Sequence, residues 1–198
     1  EGAAEVVAAL MGTQSYQPAE DARLPEAVEV HLAAQPQGAM TETEAAALFG
    51  VLDVMTPASL TVTGVEDLPE TLKFDGPYAV KVVSPDILHK SDIGGVAIGV
   101  EGRAGLVDAL SRIAGAVADN APSATIAGYL IQKMEKGLAE AIVGLSRDPI
   151  AGAMITVGAG GVMTEIYQDV TSRPAPVSME TAREMLTEVK SFALLRGF

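Results

Sequence analysis

Lys81 sits at the centre of YAVKVV (78–83), a run otherwise made of apolar and aromatic residues. A cation in such a run costs desolvation unless its charge has a task, so Lys81 is a candidate functional residue. The plainer reading is strand alternation: Ala79, Lys81 and Val83 share one face, and the lysine stem snorkels to an edge. Directly after it, SPDILHKSDIGG (84–95) gathers Asp86, His89, Lys90, Ser91 and Asp92 ahead of two glycines. An imidazole beside carboxylates can be oriented and made nucleophilic toward phosphorus. Paired glycines let backbone N–H groups approach an anion closely. A polar turn between two strands explains the same residues equally well.

Two further stretches carry candidate chemistry. In GAGGVMTEIYQDVTSRP (158–174) a glycine cluster could cradle phosphates, Glu165 and Asp169 could offer hard oxygen ligands to Mg²⁺, and Arg173 could clamp a phosphoryl group. A glycine-rich turn alone is weak evidence, and a hairpin with solvated charges is the alternative. In QKMEKGLAEAIVG (132–144), Gln132 to Glu135 close one strand and Glu140 stands near the start of the next. By itself that is an ordinary hairpin.

The elements that must position these groups are legible from periodicity and turn chemistry. Residues 1–12 read as a short amphipathic helix closed by Gly12, and residues 13–40 as a linker with a helical turn near Glu26–Leu32, where His31 is solvated. Thr41 and Glu44 make a capping box that opens a helix to about Leu52. Strands are expected at Leu60–Thr63, Tyr78–Val83, Gly95–Val100, Ile126–Met134, Ala139–Leu145, Ala153–Val157 and Val162–Tyr167. Helices are expected at Glu66–Leu72, at Ala104–Asp119 with Leu106, Leu110, Ile113 and Val117 on one face, and at Met179–Lys190 behind a Ser178 cap. This mixed order predicts an α+β (mixed α/β) fold rather than a doubly wound sheet.

Composition narrows the partners. With 48% apolar residues the chain can build a core, and no apolar run approaches the roughly 18–20 residues needed to cross a bilayer. The first residues have neither the basic start nor the apolar stretch of a signal peptide, so a cytoplasmic protein without a membrane partner is expected. A net charge of −13 disfavours nucleic acid. The absence of cysteine removes disulfides, thiolate metal sites and a thiol nucleophile.

Taken together, VKVVSPDILHKSDIGGV (80–96), LIQKM with AEAIVGLSRDP (130–149), and GAGGVMTEIYQDVTSRPAPV (158–177) resemble the ATP-grasp domain of the NDP-forming acyl-CoA synthetases, relatives of succinyl-CoA synthetase. TETEAAALFGVL (41–52) resembles that domain's opening helix, so the resemblance covers residues 41–198. It implies an ATP-grasp fold and phosphoryl transfer between ATP/ADP and a histidine relay, coupled to making an acyl-CoA from an acid and CoA. His89 takes the place of a relay histidine on a mobile loop. Lys81 would contact ATP phosphates; Gln132, Lys133 and Met134 would line the adenine pocket, with Glu140 reaching toward the ribose. Gly160 and Gly161 would approach the phosphates, Glu165 and Asp169 would lie near Mg²⁺, and Arg173 near the transferred group.

The resemblance also implies a C-terminally incomplete domain, because the family continues into a further helix and an acidic Mg²⁺-binding strand. Residues 1–40 would be the tail of a preceding CoA-ligase-like domain plus a linker. The implied partners are a CoA-ligase domain or subunit, a small acyl acid and phosphate, with CoA bound through that other domain and a homo-oligomeric assembly. The isolated piece is expected to be inactive. Two other readings stand beside this one: a ligand-sensing ATP-grasp module of a lysine acetyltransferase fusion, and an ATP-grasp ligase without a histidine relay. The intact His89, Glu165 and Asp169 weigh against the sensor, and the LHKSDIGG loop against the simple ligase.

Overall fold

A computed structural model describes residues 25–34, 40–161 and 169–196. The chain divides into two compact units, residues 24–136 and residues 137–198 with the N-terminal 23. The helix expected over 1–12 and the strand expected at Val162–Tyr167 lie outside the described residues.

In the first unit, helix α1 (Glu26–Ala33) precedes helix α2 (Glu42–Val51) and packs against it. The sequence reading left α1 as one turn in a linker. It is a full two-turn helix because Val28 is buried, and His31 is half-buried on it rather than solvated. The capping box of α2 is present in both halves: the Glu44 backbone N–H donates to Thr41 Oγ1 at 3.4 Å and the Thr41 N–H donates to Glu44 Oε2 at 2.6 Å. Strand β1 (Ser59–Val62) follows. The helix expected at Glu66–Leu72 is only a 3₁₀ turn, Val65–Asp67. Pro69 has no N–H to continue a helix and disfavours helical backbone at Leu68.

Strands β2 (Tyr78–Val83), β3 (Val96–Val100) and β4 (Gly128–Lys133) complete an antiparallel sheet in the order β1-β4-β2-β3. Helix α3 (Gly102–Asn120) buries Leu106, Leu110, Ile113 and Val117 in one core with Val80, Val82 and Ile131. Each such side chain contributes about 1.5–3 kcal/mol by leaving water. The other face of β2 carries Lys81, which is thereby turned away from α3.

The second unit is an antiparallel meander of β5 (Ala141–Asp148), β6 (Gly152–Ala159) and β7 (Val170–Pro174). Helix α4 (Met179–Glu188), capped by Ser178 Oγ accepting from the Thr181 N–H at 3.1 Å, leads into a 3₁₀ segment, Lys190–Arg196. Met185, Val189 and Phe192 pack there on Val157 and Ile155. The last strand falls at Val170–Pro174.

Candidate nucleotide-binding site

The register of the first sheet explains how Lys81 is held. Lys81 stands opposite Leu130, and Ala79 opposite Gln132, so Lys81 and Gln132 are diagonal neighbours on one face. Lys81 Nζ donates to Gln132 Oε1 at 3.3 Å and to Glu42 Oε1, on the first turn of α2, at 2.8 Å. The lysine side chain is 24% exposed. Its cation therefore has a counter-charge, and one of its three protons is left for another acceptor.

The other oxygen of the same carboxylate, Glu42 Oε2, lies 3.4 Å from Lys90 Nζ. That oxygen is buried and has no hydrogen bond. Burial pushes the Glu42 carboxyl up, but the hydrogen bond and charge of Lys81, followed by the charge of Lys90, outweigh it and hold the group below its ordinary value. A cavity of about 200 Å³ opens beside this cluster, lined by Thr41, Glu42, Ser84, Ile87, Leu88 and Lys90 among others.

The histidine loop is anchored at both ends. Ile87 is buried, and Asp86 Oδ2 accepts from the Thr125 N–H at 2.7 Å. The Gly95 N–H donates to the Lys90 carbonyl at 2.7 Å, and the Gly94 N–H to the Ser91 carbonyl at 3.2 Å. Leu88 and His89 form the exposed apex between these anchors. Among the described residues, no carboxylate bonds to the His89 ring, so the orientation by neighbouring acids expected from sequence is not made.

At the end of β4 the three residues assigned to adenine diverge. Gln132 turns to Lys81, Lys133 pairs with Glu135 at 3.1 Å, and Met134 Sδ accepts from the Gly99 N–H at 3.1 Å. The backbone N–H groups of Lys133 and Met134 are already bonded, to the Ala58 and Pro77 carbonyls.

In the second unit Glu140, Gly160 and Gly161 are in contact. The Gly160 N–H donates to the Glu140 carbonyl at 2.7 Å, and a Cβ on Gly160 would meet Glu140 Cβ at 2.8 Å. Gly161 has φ +72°, and a Cβ there would meet Glu140 Oε2 at 2.8 Å. Asp169 caps the last 3₁₀ segment: its carboxylate accepts from the N–H groups of Lys190 (3.1 Å) and Ser191 (2.7 Å) and from Ser191 Oγ (2.6 Å). Arg173 pairs with Glu188 and donates to Thr171 Oγ1 at 3.0 Å. Glu165 lies outside the described residues.

Mg²⁺ needs several free oxygens in near-octahedral array. Both Asp169 oxygens are engaged, and no group of three potential ligands gathers among the described residues. These residues do not fit a protein-built Mg²⁺ site.

Sequence reasoning missed Glu42 and Glu188. A signal for the first was available: a lysine inside an apolar strand needs a nearby acid, and Glu42 follows the helix cap directly.

The ATP-grasp domain family matches residues 31–198. An ADP-forming acetate–CoA ligase I subunit beta from Pyrococcus furiosus is 35% identical over 162 residues, covering 80% of this chain and 68% of that protein. The chain belongs to the ATP-grasp family of ADP-forming acid–CoA ligases. The ADP-forming acetate–CoA ligase I of Archaeoglobus fulgidus is 45% identical over 136 residues. That match takes in 69% of this chain but only 19% of the ligase, so the chain spans about a fifth of that relative.

Among solved structures, acetyl-coenzyme A synthetase 1 of Ca. Korarchaeum cryptofilum, in complex with coenzyme A and Ca-AMPCP, is 32% identical with a TM-score of 0.73. That alignment covers 86% of this chain and 76% of the other. The same enzyme with Mg-AMPPCP, its phosphohistidine segment pointing towards the nucleotide-binding site, is 30% identical with a TM-score of 0.61, over 86% of this chain and 74% of the other. The ATP-grasp fold expected from the motifs is the fold of the chain. Its relatives are ligases, which supports the enzyme reading over a sensing module. No described helix is long and apolar enough to cross a membrane.

Proposed function

We propose that this chain is the nucleotide-binding part of an ADP-forming acid–CoA ligase, and that His89 relays the phosphoryl group between ATP and a CoA-ligase partner. The observation that carries the reading is the seat of Lys81, a cation on the central strand with a donor to spare, next to the loop whose exposed apex is His89. Phosphoryl transfer asks a protein mainly to position groups and neutralise charge, and Lys81 supplies that charge in an otherwise acidic chain.

In the ligase direction the γ-phosphate oxygens contact Lys81. An unprotonated ring nitrogen of His89 attacks the γ-phosphorus in line. The bond to the β–γ bridging oxygen breaks, and ADP leaves with that electron pair. The phosphorylated histidine then delivers its phosphoryl group to the partner, where the acid and CoA are joined. The relatives' names support such a partner, since the Pyrococcus protein is a beta subunit.

Gln132, Lys133 and Met134 border the adenine through side chains and carbonyls, because the N–H groups of Lys133 and Met134 are spent. Glu140 serves the ribose, and Gly160 and Gly161 the phosphates. Arg173 reaches the transferred group by exchanging Glu188 for phosphate. Mg²⁺ would offset the charge of the nucleotide phosphates, with Glu165 a ligand to it and Asp169 able to contribute only by leaving its cap on Ser191.

The test is γ-labelled ATP with Mg²⁺ and the ligase assembly containing this chain. Acid-labile, base-stable label mapping to His89, and lost in His89→Asn, is expected. Undiminished label in His89→Asn removes His89 from the path.

A further inference from the structure

Glu42 lies on α2 outside the capping box, which Thr41 and Glu44 complete without it. Its carboxylate is nevertheless bracketed by two ammonium groups, Lys81 at 2.8 Å and Lys90 at 3.4 Å. Lys90 is only 19% exposed although its neighbours Leu88 and His89 stand in solvent. A lysine just after an exposed apex that buries most of its side chain, its charged end included, needs a partner for that charge. Of the described carboxylates, Glu42 is the one within ion-pair distance of it.

The loop has two fixed points besides its glycine turn: buried Ile87 before the apex and Lys90 after it. Two exposed residues, Leu88 and His89, span the gap. Fixing Lys90 therefore fixes where the His89 backbone can go. We propose that Glu42 is a positioning residue: through Lys90 it seats the loop that carries His89, and through Lys81 it ties that seat to the nucleotide lysine. The relevance of the seat to catalysis rests on the reading of His89 as the relay; the seat itself does not.

The test uses the whole chain without nucleotide, so its outcome is independent of whether ATP binds. Amide hydrogen exchange at Gly94 and Gly95, whose N–H groups close the turn on Ser91 and Lys90, reports the seat. The ring C–H resonances of His89 report the apex, and they are assignable because the chain has only one other histidine. Glu42→Gln and Lys90→Met are each expected to speed exchange at these glycines about three- to fivefold and to move the His89 resonances toward those of an unstructured peptide. At these probes the two substitutions together should do no more than either alone, since each breaks the Glu42–Lys90 pair, the one that reaches the loop. Lys90→Arg, which keeps charge and reach, should restore the wild-type pattern. Unchanged exchange in both single variants, additive effects in the double, or no rescue by Lys90→Arg would each overturn the assignment. Should Glu42→Gln fail to fold, Lys90→Met and Lys90→Arg decide it alone.

Discussion

Single residues in this chain are mostly explained by what holds their charge. Lys81 was legible from sequence as an anomaly, a cation in an apolar strand, but its partners were not. Glu42 is 39 residues away and Gln132 is 51, and only the strand register brings them together. Glu42, Glu44 and Glu188 are held below their ordinary value of 4.5. For Glu42 burial works upward and the two lysines downward; for Glu44 the cause is the Thr41 hydrogen bonds, and for Glu188 chiefly that from Thr171. A depressed folded value means that the ionised carboxylate stabilises the fold. That contribution is complete above about 4.5 and is lost as the pH falls through the lowered values. The urea midpoint should therefore be flat near neutrality and drop below about pH 4.5, with a shallower acid limb in Glu42→Gln; an equal limb in that variant would contradict the pairing. Thr41→Ala removes the half of the capping box that Oγ1 makes, leaving the backbone N–H on Glu44, and should cost about 0.5–2 kcal/mol in urea unfolding.

At the scale of elements, periodicity served where one face is buried and failed where a single residue intervenes. Helix α3 and strands β2 to β6 fall within two residues of expectation except at the C-terminal end of β5, because apolar spacing and glycine turns mark them. The Glu66–Leu72 helix failed at Pro69, and α1 was underread because Val28 alone gives little amphipathic pattern. The glycines at 160 and 161 were read only as a phosphate cradle, yet Gly160 is also required by its approach to the Cβ and backbone of Glu140, and Gly161 by its φ of +72°. Gly160→Ala places a methyl against that residue and should destabilise by about 1–3 kcal/mol. Full stability in the variant would mean that β5 gives way without strain. Ile113→Ala in the core of α3 should cost more, about 2–5 kcal/mol, because the cavity closes only in part.

The whole molecule is two compact units. Among the described residues, 24–136 have a sheet, a long helix and a continuous core, whereas the described core of the second unit gathers around Met185. Expressed alone, residues 24–136 should unfold in one cooperative urea transition, because one core joins the sheet to the helix. Separate transitions by far-UV circular dichroism and tyrosine fluorescence would contradict this. Function belongs to the same scale, because the motifs that resemble the ligases run through both units. The most direct test of the central claim is calorimetric titration of the whole chain with MgAMPPCP, wild type against Lys81→Met. Loss of one charge-assisted phosphate contact should weaken binding about ten- to a hundredfold. Equal affinity in the two proteins would take the nucleotide away from Lys81, and with it the site proposed for this chain.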